Sequence, residues 1–231
     1  MQTLTETWAD LFNKCLEMNQ IPSNWRSSII KLLYKGNGDT QSPDSYRGIA
    51  LSNAITKLYT KLITNRMTKE IDHYIPDEQY GFRRGRSTLQ AIANLHSDIQ
   101  EALDLPKGKL YTAFIDYHKA FDSIIRNNIK RKLEETLGPE NYLTATTINI
   151  LQHNFVTIDN NVERSQPITQ TNGVLKADPL SPLLFDIATA DVIQAVTTES
   201  TKAYIYADGH GLILQKPREP SEKPRQPSHM G

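Results

Sequence analysis

Two aspartates carry the chemistry that can be read from this chain. Asp116 follows Phe114-Ile115, and Asp208 follows Tyr206-Ala207. Each ends an apolar, β-prone run, and a strand end is where a sheet presents a carboxylate to a divalent cation. Carboxylates brought close together repel and shift their pKa values unless a cation sits between them. Magnesium is such a cation, and in two-metal sites it clamps the attacking and leaving oxygens of an in-line phosphoryl transfer. Taken alone the pair also fits two solvated or structural strand ends, so the surrounding elements decide the reading.

Those elements follow from periodicity and punctuation. Leu4, Trp8, Leu11, Phe12, Cys15 and Leu16 recur at helical spacing, which predicts an amphipathic helix over about 4–18. Ser28 to Tyr34 reads as a strand, followed by a turn at Lys35-Gly36-Asn37-Gly38-Asp39 and a polar loop through Pro43. Ser52 is placed to cap a helix carrying Ile55, Leu58, Tyr59, Leu62, Ile63, Met67 and Ile71, and Ser87 to cap one carrying Leu89, Ile92, Leu95, Ile99 and Leu103. Lys109 to Ile115 predicts the strand that ends on Asp116. Helices are expected over 124–137, through Ile150, and over 180–196 with Pro182 in the first turn, where proline is tolerated. The stretch 153–172 reads as short, poorly defined strands. Residues 201–206 and 212–214 form a hairpin with a turn at Asp208-Gly209-His210-Gly211. From Gln215 the chain becomes Pro-rich and polar, a composition that does not fold by itself.

Composition narrows the function classes. With 231 residues, 38% apolar and 23% charged, the chain can bury a real core. A formal net charge of zero means that any nucleic-acid surface must be a local patch. Three neighbourhoods qualify: Lys31, Lys35 and Arg47; Lys57, Lys61, Arg66 and Lys69, which also read as a solvated helix face; and Arg83, Arg84 and Arg86. The single cysteine, Cys15, excludes an internal disulfide framework and a Cys-based zinc site, and its place on a helical stripe predicts a core residue. No apolar run is long enough to span a membrane and no signal peptide opens the chain, so the expectation is an intracellular protein without a membrane partner.

Six ordered stretches carry a family resemblance. They are Ile21-Pro22-Ser23-Asn24-Trp25, Lys35-Gly36 through Tyr46-Arg47-Gly48-Ile49-Ala50-Leu51, Gln79 to Thr88, Phe114 to Ser123, Asp178-Pro179-Leu180-Ser181-Pro182-Leu183-Leu184-Phe185, and Tyr206-Ala207-Asp208. Together they resemble the reverse transcriptase of non-LTR (LINE-type) retrotransposons. The resemblance implies an α+β right-hand polymerase, with fingers and an N-terminal helical region over 1–108, an incomplete palm with an antiparallel sheet over 109–214, and a disordered tail over 215–231. It further implies that Asp116 and Asp208 ligate catalytic Mg2+ in a two-ion site. Lys35 and Arg47 would hold the triphosphate, backbone amides near Lys119 and Ala120 would complete that pocket, and Phe121 would act as the steric gate that selects deoxynucleotides. Gly81, Phe82, Arg83, Arg84, Arg86, Pro179 and Ser181 would contact the template. The implied partners are an RNA template, a DNA primer and deoxynucleoside triphosphates.

The chain departs from the family pattern at three functional positions. Gly209 stands where the family carries a second aspartate, and Lys176-Ala177 where it usually has Gln-Gly. No thumb sequence is recognisable after Leu214. These departures predict weakened polymerase activity; the alternatives are a catalytically dead RNA-binding fragment or a retroelement remnant.

Overall fold

The computed structural model describes residues 3–104, 109–198 and 201–207, and the backbone of 209–215. Asp208 and the tail from residue 216 lie outside the described residues. Within them, seven α-helices and seven strands form an α+β arrangement with two separate sheets.

Helix α1 (Leu4–Glu17) opens on a capping box in which Thr3 accepts from the Glu6 amide and Glu6 accepts from the Thr3 amide. Its apolar stripe buries Phe12 and Cys15, as the spacing predicts, and burial pushes the Cys15 thiol pKa up. Strand β1 (Ser27–Tyr34) pairs antiparallel with β2 (Tyr46–Leu51), placing Leu33 opposite Arg47. Strand β2 is absent from the sequence reading because its run does not alternate cleanly; pairing with β1 makes it a strand. Helix α2 (Ala54–Ile71) is capped by Asn53, whose side chain accepts from the Ile55 amide at 2.9 Å. Ser52, the expected cap, instead meets Ser28 Oγ at 3.0 Å and ties the helix entry to β1. Helix α3 (Thr88–Leu103) has the expected Ser87 cap, in a full capping box with Gln90.

After β3 (Leu110–Asp116) come the short α4 (Ala120–Ser123), α5 (Arg126–Leu137), α6 (Tyr142–Gln152), β4 (Phe155–Asp159) and β5 (Ile168–Thr169). Helix α7 (Ser181–Val196), β6 (Thr201–Tyr206) and β7 (Gly209–Gln215) follow. The first sheet has the order β2-β1-β4-β5, with β1 and β4 parallel. It therefore joins residues expected in the first region, 1–108, to a stretch expected in the second. Lys31 opposite Asp159 pins that pairing with an ion pair at 2.9 Å. The second sheet, β3-β7-β6, is antiparallel, and its hairpin is tighter than expected, with β7 beginning at Gly209.

The rings of Phe12, Trp25 and Tyr59 meet at centroid distances of 5.4 to 5.9 Å, locking α1 and α2 together. Helix α7 crosses the centre of the core with Leu183, Leu184, Phe185, Ile187, Ala190 and Ile193 all buried. A helix apolar nearly all round must be covered on all sides. Each fully buried Leu, Ile or Phe contributes about 1.5–3 kcal/mol. The core thus holds the loop before α7, and the segment that follows β3, in fixed positions.

Candidate active site

Strand β3 ends on Asp116, directly opposite Gly209, and Gly209 is in turn opposite Tyr206. One rung across three strands therefore sets Asp116 beside the hairpin that bears the second aspartate in the sequence. Asp116 is exposed, a hard oxygen donor at a sheet edge, which suits magnesium. Among the described residues no group of three or more His, Cys, Asp or Glu side chains converges.

Residues 78–81 run alongside β6: the Tyr80 amide donates to the Ile205 carbonyl at 2.7 Å, and the Ile205 amide to that of Glu78 at 2.9 Å. Gly81 then presses against the hairpin, where a Cβ would lie 2.0 Å from the Ala207 nitrogen. Only glycine permits that approach. Phe82 (φ 59°) is exposed, and its ring meets Phe121 edge-on at 6.0 Å. Phe121 stacks on Phe185 at 5.3 Å and is half-buried, so one face belongs to the core and the other part remains accessible.

The three arginines of this element do not act alike. Arg83 turns inward with 8% side-chain exposure, donating to the Pro76 carbonyl at 2.9 Å and pairing with Asp72 at 3.2 Å. Arg86 pairs with Asp77 at 2.5 Å and lies over the Tyr80 ring at 5.6 Å. Arg84 is exposed. The single basic patch expected from sequence thus reduces to Arg84 at the surface, because neighbouring carboxylates and a carbonyl take up the other two.

Lys35 and Lys119 converge on Asp44, a residue the sequence reading missed. Lys35 Nζ donates to the Asp44 carbonyl and Lys119 Nζ to its carboxylate, each at 2.7 Å. The Lys119 hydrogen bond and charge hold the Asp44 carboxyl below the usual carboxylate range. Lys119 itself sits in the left-handed region at φ 50° before α4, and Ala120 is buried. Arg47 is exposed on β2. Lys31 is taken by Asp159, whose pKa is pulled down to about 2 by Lys31, the Asn161 amide and Arg164.

The loop before α7 lies against α4. Lys176 pairs with Asp122 at 2.5 Å, so the ammonium that stands where the family usually has a neutral amide has its own counter-charge. Ala177 is held at φ 71°, a conformation favouring glycine. Asp178 is buried, accepts from the Leu180 amide at 2.9 Å and the Thr60 hydroxyl at 3.2 Å, and burial pushes its pKa up. Pro179 is half-buried, whereas Ser181 is 3% exposed. Ser181, expected from sequence to meet the template, is therefore placed beneath the loop.

Comparison with known proteins agrees with this geometry. Residues 34–223 match the family described as reverse transcriptase (RNA-dependent DNA polymerase). The chain is 30% identical over 206 residues to the probable RNA-directed DNA polymerase from transposon BS of Drosophila melanogaster, covering 88% of this chain and 22% of that protein. It is 28% identical over 214 residues to the RNA-directed DNA polymerase from mobile element jockey of the same organism, covering 89% and 23% respectively. It therefore spans about a fifth of the length of these relatives. Telomerase from Candida tropicalis, solved with a TWJ fragment of telomeric RNA, shares the fold at TM-score 0.60 and 15% identity, over 90% of this chain and 40% of that one. The chain belongs to the reverse transcriptase family, and its relatives there are the enzymes of non-LTR retrotransposons.

Proposed function

We propose that this chain is the fingers and palm portion of an RNA-directed DNA polymerase, with the β3-β7-β6 sheet as palm and the β2-β1-β4-β5 sheet in the fingers. The observation that carries the reading is the rung Asp116–Gly209–Tyr206, which sets one of the two aspartates against the hairpin that contains the other in the sequence. Held by Asp116 and Asp208, magnesium would supply charge neutralisation for the attacking hydroxyl and the leaving pyrophosphate. The chain's own residues do the rest. Lys35, Lys119 and Arg47 offer cations to the triphosphate, the first two by releasing Asp44. Phe121, braced by Phe185, crowds the sugar 2′ position, with Ala120 beside it. Gly81, Phe82 and Arg84 present backbone, ring and charge to a single-stranded template. RNA template, DNA primer and deoxynucleoside triphosphates are the partners this assigns.

Gly209 brings no carboxylate and Ala177 strains the loop, which together support reduced activity. Primer extension on an RNA template with magnesium tests the reading. Little product is expected from the chain itself, on the order of tenfold or more from Gly209→Asp, and none from Asp116→Ala. Product that survives Asp116→Ala overturns the assignment. Silence from all three favours an RNA-binding fragment, read out as salt-dependent RNA affinity that falls in Arg84→Ala.

A further inference from the structure

We infer that Arg126 is a positioning residue that registers the Gly173–Ala177 loop against Phe121, and through Phe121 tunes the choice between deoxyribose and ribose. The second half rests on the polymerase reading above; the first does not. Arg126 opens α5, the helix end that disfavours a cation, and is only 9% exposed. Such a placement is costly unless the guanidinium's donors are used.

Nε and Nη1 reach main-chain carbonyls of separate segments, while among the described residues Nη2 is buried without a partner. Nε donates to Gly173 O at 2.8 Å, and Nη1 donates to Gln170 O at 2.5 Å and to the Leu151 carbonyl near the end of α6. A helix C-terminus favours a cation, so α6 helps to hold the charge. Burial draws the guanidinium pKa down to about 10, which leaves it cationic at neutral pH.

The loop binds the opposite way through its amides. Gly173 N–H donates to Ile124 O at 2.8 Å and Val174 N–H to Phe121 O at 2.9 Å. There is no slack at this contact, because a Cβ on Gly173 would fall 2.7 Å from Asp122 O and 2.8 Å from Phe121 O. The loop and the segment bearing Phe121 therefore move as one unit, with Arg126 closing its carbonyl side. Lysine keeps the charge but carries its donors on one nitrogen, so it cannot reproduce the fork.

Amide hydrogen exchange on the free chain tests the first half, using Arg126→Met and, should that variant fail to fold, Arg126→Lys. Gly173 and Val174 are expected to lose protection by about tenfold or more, while α2 amides stay near their original values. Unchanged loop protection, or an equal loss everywhere, overturns the positioning role. Equilibrium titration with dATP and ATP in the presence of magnesium tests the second half. Arg126→Lys is expected to narrow the preference for dATP by about tenfold, the effect of losing one charge-assisted hydrogen bond. An unchanged preference overturns that half. An original chain that binds neither nucleotide overturns the polymerase reading and the sugar-selection half together, while exchange still decides the loop.

Discussion

At the scale of single residues, two side chains work against the fold that contains them. Ala177 occupies the left-handed region that a β-carbon penalises, at a place where the family pattern carries glycine. Ala177→Gly is expected to raise stability by about 1 kcal/mol, read as a shift in the urea midpoint. Asp186 lies in α7 at 1% exposure, and among the described residues neither carboxylate oxygen has a hydrogen-bond partner. Burial pushes its pKa up from 3.8 to about 8, partly offset by the Arg83 charge. The folded state thus holds a proton that the unfolded chain releases near pH 4. The stability linked to it is complete below pH 3.8, falls as pH rises, and is lost above about 8. Asp186→Asn should remove this slope and stabilise the protein at pH 8 by about 4–5 kcal/mol, with little effect at pH 4. Chemical denaturation across that range checks it.

At the scale of elements, the packing of residues 78–82 along β6 links the segment proposed to face the template to the hairpin of the second aspartate. Main-chain hydrogen bonds set the register and Gly81 sets the separation. Gly81→Ala has no soft neighbour to displace, since the atoms it would strike are the Ala207 backbone. The substitution is expected to cost about 1–3 kcal/mol, at the upper end because backbone must move. It should also lower protection of the Tyr80 and Ile205 amides, whereas a change confined to global stability would argue that the two elements are not coupled. Asp44 plays the corresponding part between the turn after β1 and the turn before α4, where it gathers Lys35 and Lys119 into one cluster.

At the scale of the whole molecule, β3 is an edge strand among the described residues, and its large apolar side chains are exposed there. Tyr111, Phe114 and Ile115 are 62%, 78% and 44% exposed. An exposed apolar edge invites pairing with another chain. Concentration-dependent self-association is therefore expected in sedimentation velocity, reduced in Phe114→Lys, which places a charge on the edge. A chain that stays monomeric up to high concentration would show that this surface is not sticky. No helix among the described residues is long and apolar enough to cross a membrane.

What the sequence determined by itself is what local order controls. The words around Asp116 and Asp208 identified the family, helical periodicity located Phe12, Cys15, Tyr59 and Met67 in the core, and Ser87 announced a helix cap. These depend on residues within a turn or two of each other, so contiguous sequence contains them. The tertiary structure decided which remote segments meet. It paired β1 with β4 across more than half the chain, turned Arg83 inward while leaving Arg84 exposed, and gave Lys31 and Lys176 their carboxylates. It also buried Ser181 beneath the loop and placed Arg126 among carbonyls of two segments beyond its own helix. A cation's role depends on the counter-charge or carbonyl that long-range packing brings to it, and spacing along the chain contains no record of that encounter.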